Sequence, residues 1–395
     1  MISKLYLSVF LLILQTTLLS GQVKVRLYSG YDSDTILFSV TEGEYKINYF
    51  PSYEALLVKG QQGIIIRSGP KLVIKSFEDH YWTISDSVII TGTTGNDSFS
   101  LSVNNSGKLT RNYSGDLCCK SDLGTLLLVN TCVTESYIAG VVKAEGGSGR
   151  HQEYFKTQAV IARTYMYGHL NRHSLDGFDL CDDVHCQAFN GITDDSLIIR
   201  ATLDTKDQVI IGPDSLPITA AFHSNCGGET LASENLWLRA YPYLKKVKDP
   251  YCISSRNSRW SKSISVRDWI DYLKRSGMPS AQADNAQLNF DQPVRMINYK
   301  AGSFTIPFNQ IRTDLGLRSS FFSVKVKGDS VILSGRGYGH GAGLCQEGAI
   351  VMASKGFDYR KIIGFYYKVV TVRNFSTNED KLDLSESKLL ARKMP

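Results

Sequence analysis

YIAGVVKAEGG, residues 137–147, is the stretch on which the reading of this chain turns. Tyr137, Ile138, Val141 and Val142 recur at helical spacing, which predicts a short helix with one apolar stripe facing a core. One turn further along that stripe stands Glu145, and two glycines then end the helix. A carboxylate so placed pairs with a cation, faces water at a frayed end, or is held in low dielectric to work as an acid. An ordinary Glu has a pKa of about 4.3, whereas a general acid near neutrality needs about 6–7. That two-unit rise corresponds to about 2.7 kcal/mol. The helix C-terminus opposes negative charge by only about 0.3–1 kcal/mol, so desolvation must supply most of the shift. Gly146 and Gly147 suit such a role, because they let backbone or substrate come close.

Upstream, residues 23–130 read as strands and turns. KVRLYS, ILFSV, YKINYF, LLVKG, GIIIRSG, WTISDSVIITG, FSLSV and LGTLLLVN are β-branched or aromatic and separated by Gly, Asn, Asp and Ser. VNNSGKLTRNYSG is polar and turn-rich, which suggests a boundary near 105–110. Thr134 is the expected N-cap of the helix carrying Glu145. Downstream, residues 151–170 form a second helix with Phe155, Ala159, Ala162 and Met166 on one face. A loop over 171–191 follows, then strands at QVIIG and PITAAFHS and a helix over 266–277. FFSVKVKGDSVILSG leads to a glycine-rich turn, GRGYGHGAG, and a last helix in CQEGAIVMASKGF. Segregated strands and helices predict an α+β fold, mixed in character, with a β-rich N-terminal region.

The chain has 395 residues, 43% of them hydrophobic and 21% charged, which is the composition of a folded protein. Its formal charge of +6 comes from scattered Lys and Arg, and the densest patches, LKKVK at 244–248 and KLLARK at 388–393, are short. Nucleic acid is therefore not an expected partner. MISKLYLSVFLLILQTTLLSGQ has an early lysine, an apolar run from Leu5 to Leu14 and small residues at Ser20 and Gly21. It reads as a secretory signal peptide over 1–21, cleaved near Gly21–Gln22, leaving no stable membrane span and an exported, extracytoplasmic product. The cysteines are Cys118, Cys119, Cys132, Cys181, Cys186, Cys226, Cys252 and Cys345, and an exported chain is permitted disulfides among them. Vicinal Cys118 and Cys119 are poor partners for each other.

Four motifs carry a family resemblance. VN at 129–130 precedes Tyr137, Gly140, Val141, Val142 and Glu145, and KTQAVIARTY follows at 156–165. CDDVHCQAFNG runs over 181–191, FHSNCGGET over 222–230 and GRGYGHGAGLCQEGA over 335–349. In this order they resemble the stage II sporulation protein D and amidase-enhancer (SpoIID/LytB) family, over about residues 108–373. GGSGRHQEYF after Glu145 departs from the short M-P-x-x-W that the family often has there.

The resemblance implies a SpoIID/LytB-type domain over 108–373, behind a signal peptide at 1–21 and a β-rich region at 22–107, with a tail at 374–395. It implies a lytic transglycosylase acting on peptidoglycan glycan strands, preferably denuded ones, and leaving 1,6-anhydro-muramic ends. The family's catalytic glutamate falls on Glu145, which would serve as acid and then as base. Gln158, Arg163, Tyr165, Gln187, His223, Ser224, His340 and Gln346 become candidates for lining the glycan groove, and a cell-wall amidase becomes a candidate partner. A non-catalytic wall-binding protein or amidase enhancer is the alternative. No cofactor is required by this chemistry.

Three other readings attach to particular residues. Asp182 and Asp183 could supply the second carboxylate of a water-using hydrolase. A serine triad at His223–Ser224 lacks the G-x-S-x-G context. Cys181, His185 and Cys186 have zinc-type ligands at short spacing, with His173, His169 or Cys226 as a fourth, and the resemblance also points to structural zinc there. A Cys181–Cys186 disulfide competes with that reading, and a Cys226–Cys252 disulfide is a further pairing to weigh.

Overall fold

The computed structural model describes residues 21–49, 53–76, 82–103, 109–170, 172–237, 239–283 and 287–375. Most of the expected signal peptide and of the expected tail lies outside them. The chain divides into two compact units, Met1–Ser148 with His169–Leu203, and Gly149–Gly168 with Asp204–Pro395. Strands and helices both run through the chain, as expected for an α+β fold.

The first unit contains two sheets. Its strands are β1 (Gln22–Leu27), β2 (Thr35–Glu42), β3 (Glu44–Tyr49), β4 (Tyr53–Val58), β5 (Gln62–Ser68), β6 (Lys71–Ser76) and β7 (Trp82–Ser85). They continue with β8 (Ser87–Gly92), β9 (Ser98–Val103), β10 (Thr110–Ser114), β11 (Asp116–Asp122), β12 (Thr125–Val133) and β13 (Leu180–Cys181). The sheet orders are β13-β1-β12-β11-β8-β3-β4 and β10-β9-β2-β5-β6-β7. Strict alternation explains the pairing of faces: β1 buries Val23, Val25 and Leu27, and β2 buries Ile36, Phe38 and Val40. Between the sheets, Phe38 stacks on Phe99 at 5.0 Å, and Tyr45 meets both rings edge-on at 5.5 Å. Strands from both sides of residue 107 pair in each sheet, β9 with β10 and β1 with β12.

Helix α1 (Thr134–Gly146) leaves β12 without a break. Thr134 is its first helical residue rather than its N-cap; Val133 occupies the cap position in extended conformation and makes no side-chain cap. The Thr134 N–H is met instead by the Gly21 carbonyl at 2.7 Å, so a tertiary acceptor replaces the local one. Tyr137, Ile138, Val141 and Val142 are all buried, as the stripe predicts. Gly147 closes the helix with φ 75°, and no atom stands within 4 Å of where its Cβ would be. The glycine there is required by the backbone and not by a close neighbour.

The second unit holds helix α2 (Gln152–His169) as far as Gly168, and the helix buries Phe155, Ala159, Ala162 and Met166. Strands β14 (Gln208–Ile211) and β22 (Thr371–Asn374) pair antiparallel, and β15 (Phe222–His223) pairs parallel with β21 (Leu344–Cys345). A three-stranded sheet of β16 (Arg259–Ser265), β20 (Ser330–Arg336) and β19 (Phe322–Lys327), the hairpin β17 (Asn298–Ala301)–β18 (Phe304–Pro307) and helix α3 (Val266–Arg275) enclose a separate core. That core is built on Trp269, Tyr299, Phe308 and Phe322. Ser265 caps α3 by accepting from the Asp268 N–H. Helix α4 (Gln346–Ser354) starts directly after β21. No helix among the described residues is long and apolar enough to cross a membrane.

Candidate functional site

Glu145 sits in the last turn of α1, half-buried. Its Oε1 accepts the Ala188 N–H at 3.1 Å. Burial holds its pKa above the ordinary carboxylate value, and the bond from Ala188 pulls weakly the other way. The direction is the one an acid at neutral pH requires.

Ala188 belongs to CDDVHCQAFNG, and a gap in the helix surface lets that segment approach. Gly140, on the turn of α1 that precedes Ala144 and Glu145, carries no side chain. The segment packs into the space this leaves: a Cβ on Gly140 would overlap the Gly191 carbonyl oxygen and come to 2.5 Å from the Phe189 ring. Phe189 packs on Tyr137 at 5.0 Å, and Gln187 Oε1 accepts from the Tyr137 hydroxyl at 3.4 Å. Gln187 is buried, and its amide nitrogen has no partner among the described residues. The Tyr137 and Gly140 positions of the helix motif therefore seat the second motif, and the second motif presents its N–H to Glu145.

Asp182 is tied into the fold. Its oxygens accept from Tyr28 N–H at 2.6 Å, Ser29 N–H at 2.9 Å and Ser29 hydroxyl at 2.7 Å, and it pairs with Arg111 at 2.9 Å. Asp183 is exposed and accepts from the Val184 N–H at 2.6 Å. Ahead of them, β13 pairs parallel with β1, with Arg26 opposite Cys181. This fixes one end of a four-residue cluster: ligand atoms of His173, Cys181, His185 and Cys186 all lie within 4.8 Å of one another. Cys181 and Cys186 sulfurs are each 3.6 Å from His185 Nδ1, and Cys186 is 3.6 Å from His173 Nε2. Among the three residues considered for a fourth ligand, His173 is the one the cluster contains. Two sulfurs and two imidazole nitrogens fit the donor set of a closed structural zinc site.

The candidates on α2 differ in exposure. Arg163 is fully buried and donates to the carbonyls of Thr205 at 2.8 Å and Gln208 at 3.2 Å. Gln158 is also buried, with its amide nitrogen unpartnered among the described residues, and Tyr165 is half-buried. Replacing Arg163 by Met should destabilise the protein by about 3 kcal/mol, because both charge-assisted bonds of the buried guanidinium are lost, although the Thr205 carbonyl still accepts the Gln208 N–H at 3.0 Å. Urea unfolding of the two proteins measures this.

In the second unit, the parallel register sets Phe222 opposite Leu344 and His223 opposite Cys345. The FHSNCGGET and GRGYGHGAGLCQEGA motifs are thus neighbouring backbones. Gly339 (φ 110°) lies against His223, where a Cβ would come within 2.8 Å of the His223 side chain. The rings of His223 and His340 are 5.4 Å apart. His223 Nδ1 bonds the Ala342 carbonyl at 3.1 Å, while its buried Nε2 has no partner among the described residues. Burial pushes both imidazoles down, His340 to about 4, so both are neutral at pH 7.

Ser224 is half-buried, and its hydroxyl accepts from the Asn257 amide at 3.2 Å. Asn257 also holds Glu347 at 2.7 Å, and the Glu347 N–H donates to the Ser224 carbonyl at 3.0 Å. That amide–carboxylate network occupies Ser224 in place of a histidine base. Gln346, half-buried, opens α4 beside it. Trp237 is absent from the expected site residues. It is 41% exposed and its ring is 5.7 Å from His340, and its cue in sequence is a tryptophan in the polar loop SENLWLRAYPY.

The family model described as Stage II sporulation protein matches residues 122–211, which include Glu145 and the whole CDDVHCQAFNG segment. Over 252 residues the chain is 30% identical to the Stage II sporulation protein D of Bacillus subtilis (strain 168), covering 59% of this chain and 72% of that one. It is 30% identical over 269 residues to an uncharacterized protein of Brachyspira hyodysenteriae, covering 67% and 73%. A Bacillus subtilis (strain 168) protein named Amidase enhancer is 28% identical over 291 residues, which are 60% of this chain and 40% of that longer one. With the helix, loop and glycine-rich motifs in one order and these relatives alongside, the chain belongs to the SpoIID/LytB family of cell-wall-related proteins.

Proposed function

We propose that the chain is an exported peptidoglycan lytic transglycosylase that cleaves denuded glycan strands. The observation that carries the reading is Glu145, half-buried in the last turn of α1 with its pKa raised by desolvation. A protonated Glu145 gives its proton to the glycosidic oxygen as the bond from that oxygen to C1 breaks. The carboxylate then takes the proton of the muramic 6-hydroxyl, whose oxygen closes on C1. Water is not consumed, and Glu145 ends protonated, as it began. A hydrolase of the ordinary kind needs a second carboxylate. Asp182, with its oxygens held by Tyr28, Ser29 and Arg111, is unsuited to that role.

The remaining candidates divide by exposure. Tyr165, Ser224, His340 and Gln346 are half-buried and are assigned to contact with sugar, with Trp237 as an added stacking face. Gln158, Arg163, Gln187 and His223 are buried and are assigned to holding the backbone around them in place. His173, Cys181, His185 and Cys186 would hold a structural zinc ion, whose contribution is to fix the segment that presents Ala188 to Glu145. A wall-binding amidase enhancer without its own catalysis is the second reading, favoured by the name of one relative. Incubating purified protein with denuded glycan separates the two: cleavage to anhydro-ended fragments supports the enzyme, and binding with intact strands supports the enhancer.

A further inference from the structure

Cys226, Asp249, Cys252 and Cys345 converge in the second unit, far in sequence from the first cysteine–histidine cluster. Their ligand atoms all lie within 4.8 Å of one another, and all four residues are buried to 1% exposure or less. Cys226 Sγ is 3.4 Å from Cys252 Sγ and 3.3 Å from Asp249 Oδ2. Sulfurs at about 2.3 Å from a tetrahedral zinc ion stand about 3.8 Å apart, so the cluster is near the size such an ion imposes. We infer that these four residues form a second, closed binding site for a zinc-type divalent ion.

The surroundings are built for it. Asp249 is oriented by the Tyr366 hydroxyl, which donates to Oδ2 at 3.0 Å, and by the Tyr251 N–H, which donates to Oδ1 at 2.8 Å. Such outer partners fix a ligating carboxylate. The Cys226 N–H points at Cys345 Sγ at 3.3 Å, a donor suited to a thiolate. A Cβ on Gly348 would overlap both the Tyr366 hydroxyl and Asp249 Oδ2, so the first turn of α4 leaves room only for this arrangement.

Charge points the same way. Three thiolates and a carboxylate around a dication carry a net charge of about −2. The Arg295 guanidinium is buried beside them, donating to the Cys226 carbonyl at 2.9 Å and the Glu229 carbonyl at 2.6 Å. Glu229 is paired with Lys246 at 2.7 Å, and its Oε1 also accepts the Arg295 N–H at 2.9 Å. A Cys226–Cys252 disulfide would use only two of the four groups. It would leave the Cys345 thiol and the Asp249 carboxylate enclosed with no cation between them.

The ion would clamp the two motifs of the second unit. Cys345 stands opposite His223 in the β15–β21 register, and Cys226 follows Ser224 by two residues. The inference does not depend on catalysis by Glu145.

Zinc bound by the full-length protein tests it. A Cys181→Ser/Cys186→Ser variant, stripped of the first cluster's sulfurs, should retain about one zinc ion per chain after dialysis. Cobalt in its place should show thiolate-to-metal charge-transfer absorption. In the unmutated protein, peptide-resolved alkylation of Cys226, Cys252 and Cys345 should accelerate about tenfold once a chelator removes the ion. A Cys226–Cys252 cross-linked peptide from a non-reducing digest overturns the inference, as does a folded variant that holds no zinc. Should the variant fail to fold, alkylation rates in the unmutated protein that ignore the chelator overturn it equally.

Discussion

Glu145→Gln is expected to slow glycan cleavage by about 10²–10⁴-fold or more while leaving the fold intact. The amide keeps an oxygen for the Ala188 N–H, so the bond that seats the side chain survives. What is lost is the proton, on which both halves of the proposed reaction depend. Stability should move the opposite way from activity. The pKa of Glu145 is raised in the folded protein, so its contribution is fully present below the unfolded pKa and is lost as pH rises through the folded value. The Gln variant has no such loss. Its melting temperature should therefore match or exceed that of the wild type at pH 7–8, and the advantage should vanish in acid. Wild-type cleavage should keep its alkaline limb above the ordinary carboxylate range. Melting curves and rates across pH read both effects.

Gly140→Val should be the most damaging single change near the site. Its side chain would enter space held by the Gly191 carbonyl and the Phe189 ring. Neither neighbour moves freely: Phe189 is buried against Tyr137, and the Ile192 N–H next to Gly191 is bonded to the Asn112 carbonyl at 2.8 Å. Overpacking of this kind costs about 1–3 kcal/mol when the backbone can adjust. If the segment over 187–191 shifts outward instead, Ala188 leaves Glu145 and cleavage falls even in molecules that stay folded. Circular dichroism with urea measures the first effect, and the rate per folded molecule measures the second.

The helices and the acid are readable because their signals are local. Apolar spacing marks α1 and the buried face of α2, and Glu145 falls on the stripe. Strands with strict alternation, such as β1 and β2, are equally plain. Thr110–Ser114 is not, because β10 is an edge strand that buries only Tyr113 and is polar elsewhere. KLVIKS, short and carrying lysines at both ends of its apolar run, gives a weak signal, yet it forms β6. Contacts that span the chain leave no local trace. Asp249 and Cys226 are 23 residues apart, and Cys226 and Cys345 are 119 apart, so nothing in their spacing announces a shared cluster. His173 can be weighed as a fourth ligand from sequence, but only the folded loop selects it. Ser224 looks reactive in sequence, and only its bond to Asn257 shows its occupation.

The most direct test of the central claim is the mass spectrum of fragments released from denuded glycan strands in ¹⁸O-enriched water. The predicted fragments are lighter by one water than hydrolysis products, carry no ¹⁸O at the new end, and form about 10²–10⁴-fold or more slowly with Glu145→Gln. Fragments that incorporate ¹⁸O, or cleavage at the wild-type rate in the variant, would contradict it.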